Sequence, residues 1–204
     1  MPQWKYIFVD VDTQFDFMDP AGRLYVYGAE LAVPALQQLF AFAARERIPV
    51  FSSTDDHPPN APEFEQFPPH CLHNSPGQRK IPCTLLPRHR LIPAEANPPE
   101  RLYRWMVEYD QLIFPKETLD AFDNPAFAML VNCLDVGEYV VFGVATDYCV
   151  RLAARGLLER GRRVCLVRDA IRPVDPQTGE QACRELAELG ARWLTTADVT
   201  GGQM

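Results

Sequence analysis

The sequence predicts an α/β fold in three layers, with a doubly wound, mostly parallel sheet of six strands between two layers of helices. Two observations support this prediction. Short apolar runs alternate along the chain with segments whose apolar residues recur at helical spacing. The runs are apolar nearly throughout, which is typical of parallel strands covered on both faces. The length of 204 residues suits one domain, so we expect a single domain over residues 1–204.

The predicted elements follow in order along the chain. Strands are expected at residues 6–9, 48–52, 111–114, 139–144, 164–167 and 191–194. Helices are expected at residues 30–46, 100–109, 146–160 and 177–189. The segment between the second and third strands is rich in turns, and thirteen of the nineteen prolines lie between Pro49 and Pro115. We expect residues 85–109 to form a lid, with Tyr103 and Trp105 lining a pocket.

Charge and composition exclude several classes of partner. Acidic residues outnumber basic ones by 27 to 20, a net charge of −7, whereas nucleic acids and anionic membranes are bound through basic patches. No stretch reaches the ~20 apolar residues of a membrane-spanning helix, and no apolar signal segment follows Met1. We therefore expect a cytoplasmic protein without a nucleic-acid or membrane partner. The six cysteines include no CxxC pair, so a disulfide framework is not expected.

Reactive residues follow four of the predicted strands. In parallel α/β sheets, ligands bind outside the carboxyl ends of the strands, so residues at these positions should share one rim. They are Asp10 and Asp12, Asp55 and His57, Lys116, and Cys149. Their convergence on one rim predicts an active site.

Cys149 lies in the first turn of the helix predicted at 146–160, with Thr146 or Asp147 as its expected N-cap. The helix dipole and the free amides of that turn favour a thiolate, so we expect a lowered pKa for the Cys149 thiol. The same amides can bind an oxyanion. These features favour a nucleophile over a buried structural cysteine.

Lys116 directly follows an apolar strand, and near a thiol it would stabilise the thiolate and developing negative charge. Asp12 could act as general base, taking the thiol proton and returning it to a leaving amine. Asp10 competes for this role, because strand alternation is expected to place Asp10 and Asp12 on the same side. The spacing alone leaves the choice open.

A metal site is predicted around the loop after the second strand. Asp55 and His57 lie two positions apart, and His70 follows thirteen residues later. One carboxylate and two imidazoles suit Zn, Mn or Fe and leave positions open for water or substrate. The alternative is a set of hydrogen-bonded loop residues. His73 and His89 are expected to be solvated.

Several motifs, in this order, resemble the nicotinamidase branch of the isochorismatase-like cysteine hydrolases. DVDTQFDF resembles the family's DVQNDF box, and aligning the two puts the catalytic aspartate on Asp12. DDHP and FPPHC resemble the metal motifs DWHP and WPxHC, and GVATDYCV is nearly identical to GLATDYCV around the nucleophile. In this sequence the four motifs occupy residues 10–17, 55–58, 67–71 and 143–150. Lys116 matches the family's catalytic lysine.

The resemblance implies a chemistry as well as a fold. Cys149 would attack a carboxamide to form a thioester, with Asp12 transferring protons beside Lys116. A cis peptide would precede Ala145, and the amides of Ala145 and Cys149 would form the oxyanion hole. Asp55, His57 and His70 match the ligands of a divalent metal, with zinc the first expectation. The branch implies hydrolysis of nicotinamide to nicotinate and ammonia, by a homo-oligomer.

Departures from the family motifs leave the substrate open. Glu63, six residues after His57, is a candidate fourth metal ligand. Phe17, Phe64 and Tyr148 are candidates for an aromatic substrate pocket. Two alternatives remain: an amidase for another small amide or carbamoyl compound, and a catalytically silent, metal-binding member of the fold.

Overall fold

The computed structural model describes residues 3–202, which form a sheet flanked by helices. Seven strands lie within these residues. In chain order they are β1 (Trp4–Val11), β2 (Val50–Asp55), β3 (His89–Leu91), β4 (Gln111–Lys116), β5 (Val136–Val144), β6 (Val164–Arg172) and β7 (Arg192–Leu194). The order across the sheet is β3-β4-β2-β1-β5-β6-β7, and every neighbouring pair is parallel. The predicted parallel α/β fold is confirmed, whereas the prediction of six strands is wrong by one.

The α-helices of the described part of the chain connect these strands. They are α1 (Phe15–Met18), α2 (Val33–Glu46), α3 (Pro99–Glu108), α4 (Pro125–Cys133), α5 (Arg151–Glu159), α6 (Pro176–Glu188) and α7 (Thr196–Thr200). Side-chain caps start several of them. Asn124 accepts hydrogen bonds from the first amides of α4, and Asp175 does the same for α6. No helix within residues 3–202 has both the length and the apolarity to cross a bilayer.

Aromatic side chains fill the core on both faces of the sheet. Phe8 on β1 stacks on Phe42 of α2, with ring centroids 6.4 Å apart. Phe51 on β2 packs edge to face against Phe127 of α4, at 6.2 Å. Because adjacent side chains of a strand point to opposite faces, the central strands are buried on both sides, as their apolar runs predict.

The order of the strands reverses between β1 and β5, which makes this the switch point of the doubly wound sheet. The two strands approach closely at their carboxyl ends. Gly143 there has a φ of +119°, and a Cβ atom at this position would lie 2.0 Å from the carbonyl oxygen of Val11. Only glycine fits both constraints, so Gly143 permits the chain to leave β5 beside the end of β1.

The segment 85–109 is part of the sheet and its helical cover, and the predicted lid is wrong. Its strand β3 pairs with β4, and its helix α3 packs against α4. A contact between β3 and α3 holds the segment together, because the guanidinium of Arg90 on β3 lies 4.1 Å from the centroid of the Trp105 ring on α3. Tyr103 and Trp105 therefore cover the β4 side of the sheet and do not line the candidate active site.

Candidate active site

Side chains from four strand ends meet beside the switch point. Nζ of Lys116, the last residue of β4, lies 2.9 Å from a carboxylate oxygen of Asp12 and 3.8 Å from Sγ of Cys149. Nζ also donates a hydrogen bond to Asp55, the last residue of β2. All four side chains are buried. The structure thus brings together one thiol, one amine and two carboxylates from the predicted rim.

The backbone at Asp12 separates the two aspartates that follow β1. Asp12 has a left-handed φ of 49°, so strand alternation stops there. Its carboxylate accepts a hydrogen bond from Ser53, whereas Asp10 accepts one from Ser52, which points to the other face of β2. The expectation that both aspartates share a side is wrong. Asp10 is paired with the buried Lys80, which leaves Asp12 as the carboxylate beside Cys149.

Burial and neighbouring charges set the protonation of the cluster. Burial raises the pKa of the Cys149 thiol well above its ordinary value, and the charge of Lys116 offsets only part of this. The predicted lowering of this pKa is therefore wrong, because desolvation of the thiolate, together with the negative charges of Asp12 and Asp55, outweighs the attraction of Lys116. Burial also raises the pKa of Asp12, against the effect of Lys116. Burial opposes the charge on Lys116, but Asp12 and Asp55 hold its pKa above the ordinary range.

Cys149 sits on a distorted turn between β5 and α5. This segment, Thr146–Val150, is a single turn of π-helix and is called the cysteine turn below. The Val144–Ala145 peptide before it is cis, as the resemblance implies. Tyr148 leaves helical geometry, with φ −121° and ψ −106°, directly before Cys149. The turn therefore places the thiol beyond the carboxyl end of β5, next to Lys116.

The predicted side-chain cap of this turn is absent. Ala145 holds the N-cap position, and neither Thr146 nor Asp147 caps the turn. The carboxylate of Asp147 points to the start of α6, where it accepts hydrogen bonds from backbone and hydroxyl groups. Asp147 therefore connects the cysteine turn to a second segment of the chain.

A second group of side chains forms a candidate metal site next to Asp55. Ligand atoms of Asp55, His57, Glu63 and His70 all lie within 4.8 Å of one another. Oδ2 of Asp55 is 3.5 Å from Nε2 of both histidines, and Oε1 of Glu63 is 3.6 Å from Nε2 of His70. The three predicted ligands and the candidate fourth ligand converge on one point.

The hydrogen bonding of these residues fits a divalent cation. Nδ1 of His70 donates to the carbonyl of Pro68 at 2.8 Å, which leaves the lone pair of Nε2 available. Within the described chain, Nε2 of both His57 and His70 and Oε1 of Glu63 are buried without hydrogen-bond partners. Buried polar atoms without partners cost free energy, and two imidazoles with two carboxylates are a donor set that zinc accepts.

Two residues of the first motif position the metal group through the backbone. The Gln14 side chain accepts a hydrogen bond from the amide of Asp55 at 2.6 Å and donates to its carbonyl at 2.8 Å. Asp16 accepts from the amide of Cys71, the neighbour of His70, at 2.7 Å. Gln14 and Asp16 were not among the predicted site residues. Their polar character within a buried motif was the available signal.

A cavity of about 120 Å³ adjoins both groups. Asp55, Glu63 and His70 line one side of it, and Ala145 and Cys149 line another. The remaining walls are apolar or aromatic, from Phe17, Leu24, Val26, Phe67, Leu119, Val144, Tyr148 and Val174. No arginine or lysine is among the described residues that line it. A larger hollow of about 390 Å³, next to Trp4 and Arg47, holds none of these reactive groups.

Two of the three aromatic residues predicted for the substrate pocket line the cavity. Phe17 and Tyr148 line it, whereas Phe64 packs edge to face on the His57 ring at 5.4 Å and does not. Phe67 takes a place in the wall, with its ring 5.8 Å from that of Tyr148. Phe67 was not predicted as a pocket residue, because the motif FPPHC that it begins was interpreted as a metal motif.

The fold and the site together define a doubly wound α/β enzyme whose reactive groups lie at the switch point of the sheet. The chain belongs to the isochorismatase domain family, whose model matches residues 6–198. It is 26% identical to the nicotinamidase of Escherichia coli K12, in an alignment that covers 92% of this chain and 93% of that protein. The resemblance inferred from the motifs is thereby confirmed.

Solved structures show the same likeness. A pyrazinamidase of Pyrococcus horikoshii in complex with zinc superposes with a TM-score of 0.75 at 26% identity, over 94% of this chain and 99% of that chain. The N-carbamoylsarcosine amidase of Thermoplasma acidophilum superposes with a TM-score of 0.70 at 22% identity, over 95% of this chain and 97% of that chain. The second match is a likeness of fold.

Proposed function

We propose that the protein is a cysteine amidohydrolase that converts nicotinamide, or a close analogue, to its acid and ammonia. One observation carries this proposal: Lys116 contacts Asp12, Asp55 and Cys149 at once, and two of these partners, Asp55 and Cys149, line a largely apolar cavity. The family and its amide-hydrolysing relatives support the same reaction class.

The first half of the reaction forms a thioester. Asp12 takes the proton of the Cys149 thiol, and the sulfur attacks the carboxamide carbon. Lys116 stabilises the thiolate, and the amides of Ala145 and Cys149 stabilise the oxyanion. The tetrahedral intermediate collapses when the C–N bond breaks, and Asp12 returns its proton to the leaving nitrogen, which departs as ammonia.

The second half releases the acid. A water molecule gives a proton to the Asp12 carboxylate and attacks the thioester carbon. The C–S bond then breaks, the proton returns to the sulfur, and the carboxylic acid leaves. The raised pKa of Asp12 suits this exchange, because a carboxyl group with a pKa closer to neutrality both accepts and donates protons readily.

The metal would be held by Asp55, His57, His70 and Glu63, and we propose zinc. When bound, it supplies positive charge at one wall of the cavity. Asp55 also contacts Lys116, so the same carboxylate orients the lysine and contributes to the metal group. The zinc complex of the Pyrococcus relative supports this assignment.

The cavity favours a neutral aromatic amide over a carbamoyl amino acid. A carbamoyl amino acid carries a carboxylate, whose burial without a partner is costly. Apart from the metal group, the described residues at the cavity offer no positive charge to bind it, and its other walls are apolar. A flat pyridine ring instead gains from burial against the apolar walls, which include Phe17 and Tyr148.

Ammonia release from a panel of amides tests the proposal. The panel contains nicotinamide, pyrazinamide, benzamide and N-carbamoylsarcosine, each assayed with zinc-loaded protein. We expect turnover of the neutral aromatic amides and little of N-carbamoylsarcosine. Preference for the carbamoyl compound would favour the second candidate activity. Absence of any turnover, with zinc bound and the fold intact, would favour a silent member of the fold.

A further inference from the structure

Asp147 joins the cysteine turn to the segment that begins α6. Its carboxylate accepts hydrogen bonds from the amides of Val174 and Asp175, at 2.9 and 3.1 Å, and from the hydroxyl of Thr178 at 2.6 Å. Asp147 is only 6% exposed. Its position at the start of α6 is also favourable, because helix N-termini attract negative charge.

The segment held in this way carries one wall of the substrate cavity. Val174 lines the cavity together with Cys149, although the residue is 50% exposed and gains little from core packing. Pro173, its neighbour, packs so closely on α6 that a Cβ atom on Gly179 would lie 2.4 Å from the proline ring. The position of Val174 therefore depends on the hydrogen bonds to Asp147 and on the packing of Pro173 against α6.

We propose that Asp147 is a positioning residue that sets the width of the cavity at Cys149 by holding Val174 against the cysteine turn. The proposal deepens the proposed function, because it assigns the upper limit on substrate size to this contact. Asp147 does not itself line the cavity, and its side chain contacts the opposite wall through the backbone amide of Val174. Loosening the contact would admit bulkier acyl groups without removing any reactive group.

Alkylation of Cys149 by two reagents of different width tests this directly. The reagents are iodoacetamide and N-phenyliodoacetamide, and the rate at Cys149 is followed by peptide mass spectrometry. The same sulfur attacks the CH2 carbon of each reagent and displaces iodide, so the ratio of the two rates cancels changes in thiol acidity and reports the space around the sulfur. The ratio needs no amide turnover, so the proposal is tested even if the proposed function fails.

The variants are Asp147→Asn, Val174→Ala and the double variant. The measured ratio is the alkylation rate with the bulky reagent divided by the rate with the small one. We expect each single variant to raise this ratio about tenfold, which is the effect of roughly one methylene of pocket space. The double variant should show no further gain, because both changes act on the same wall. Independent, multiplying effects in the double variant would overturn the proposal.

Asp175→Ala is the matched control. It removes the side-chain cap of α6 but keeps the backbone amide that donates to Asp147, so it destabilises the helix start without cutting the contact. Its reagent ratio should equal that of the parent protein. If the rate ratio of Asp147→Asn is no higher than that of Asp175→Ala, Asp147 only stabilises the start of α6 and the proposal is wrong.

If Asp147→Asn does not fold, Thr178→Val replaces it. This nearly isosteric change removes the 2.6 Å hydroxyl contact and leaves the two amide contacts. We expect a smaller rise of the ratio in the same direction. An unchanged ratio in a folded Thr178→Val protein, with Val174→Ala raised, would count against the proposal.

Discussion

Asp55 and Lys116 join the two halves of the site through a single carboxylate. One oxygen of Asp55 accepts a hydrogen bond from Nζ of Lys116, while the other lies 3.5 Å from Nε2 of both His57 and His70. Burial alone would raise the pKa of Asp55, but Lys116 and the histidines lower it below the ordinary range. Asp55 is therefore ionised at neutral pH and serves both groups as an anion.

Replacing His57 with alanine is expected to remove the bound metal. The variant loses one of two imidazole donors of a four-residue set, and metal affinity depends on the full set. After zinc loading and gel filtration, elemental analysis should give far less than one zinc per chain. His73→Ala is the control, because His73 is exposed and hydrogen-bonded to Asp56 outside the metal group, and it should keep its zinc. Equal zinc in both variants would refute the site.

Replacing Cys149 with alanine is expected to lower the rate of ammonia release at least about a thousandfold, because no other described residue that lines the cavity carries a thiol to form the thioester. The Cys133→Ala protein serves as control, since Cys133 is an exposed thiol on α4. It should keep the parent rate. A Cys149→Ala protein with substantial activity would exclude covalent catalysis at this residue.

Asp12 and Asp10 offer a matched pair of substitutions. Asp12→Asn should lower kcat roughly a hundredfold to ten-thousandfold, because an amide cannot take the thiol proton. Asp10→Asn should leave kcat per folded molecule little changed but lower the free energy of unfolding by about 3–5 kcal/mol, because it leaves the buried Lys80 without its ionic partner. Assays of initial rate and urea unfolding separate the two effects.

The assignment of Asp12 to catalysis and of Asp10 to stability is wrong if the Asp10 variant, at equal folded concentration, loses as much kcat as the Asp12 variant. Both carboxylates would then act on the reaction. Lys80 is 4% exposed, so the cost of its unpaired charge should appear in the unfolding midpoint.

The pH dependence of kcat/KM should show an acid limb due to Asp12. Asp12 accepts a proton only when ionised, and burial raises its pKa above the ordinary value of about 3.9. Activity should therefore fall as the pH falls through this raised pKa, at a midpoint above that of an exposed aspartate. Lys116, whose pKa is raised, should add no basic limb below pH ~10. A profile that stays flat down to pH ~4 would contradict the assignment of Asp12 as the base.

The rim of reactive groups could be predicted because it depends on strand ends alone. Apolar runs fix where the strands lie, and parallel pairing brings Asp12, Asp55, Lys116 and Cys149 to one edge. The predictions that were wrong concern properties set by local backbone angles and by burial. The left-handed φ of Asp12 and the high pKa of the Cys149 thiol both arise only once neighbouring segments are packed.

The missed elements lack a clear periodic signal. Strand β3 has only three residues in a proline-rich segment, and its pairing with β4 comes from tertiary contacts. Helix α4 is apolar on most of its surface, so its period is weak. The asparagine-proline pair that precedes it was the available signal, because Asn124 caps the helix and Pro125 starts it.

Within residues 3–202, the sheet is bordered on each side by a strand of three residues, β3 and β7. Unpaired edges of long, flat strands are templates for polymerisation with other chains. Here each border offers little free backbone, and arginine is present in both, as Arg90 and Arg192. The short borders thus protect a highly apolar sheet from fibril growth. Variants that lengthen either border should be the ones that aggregate.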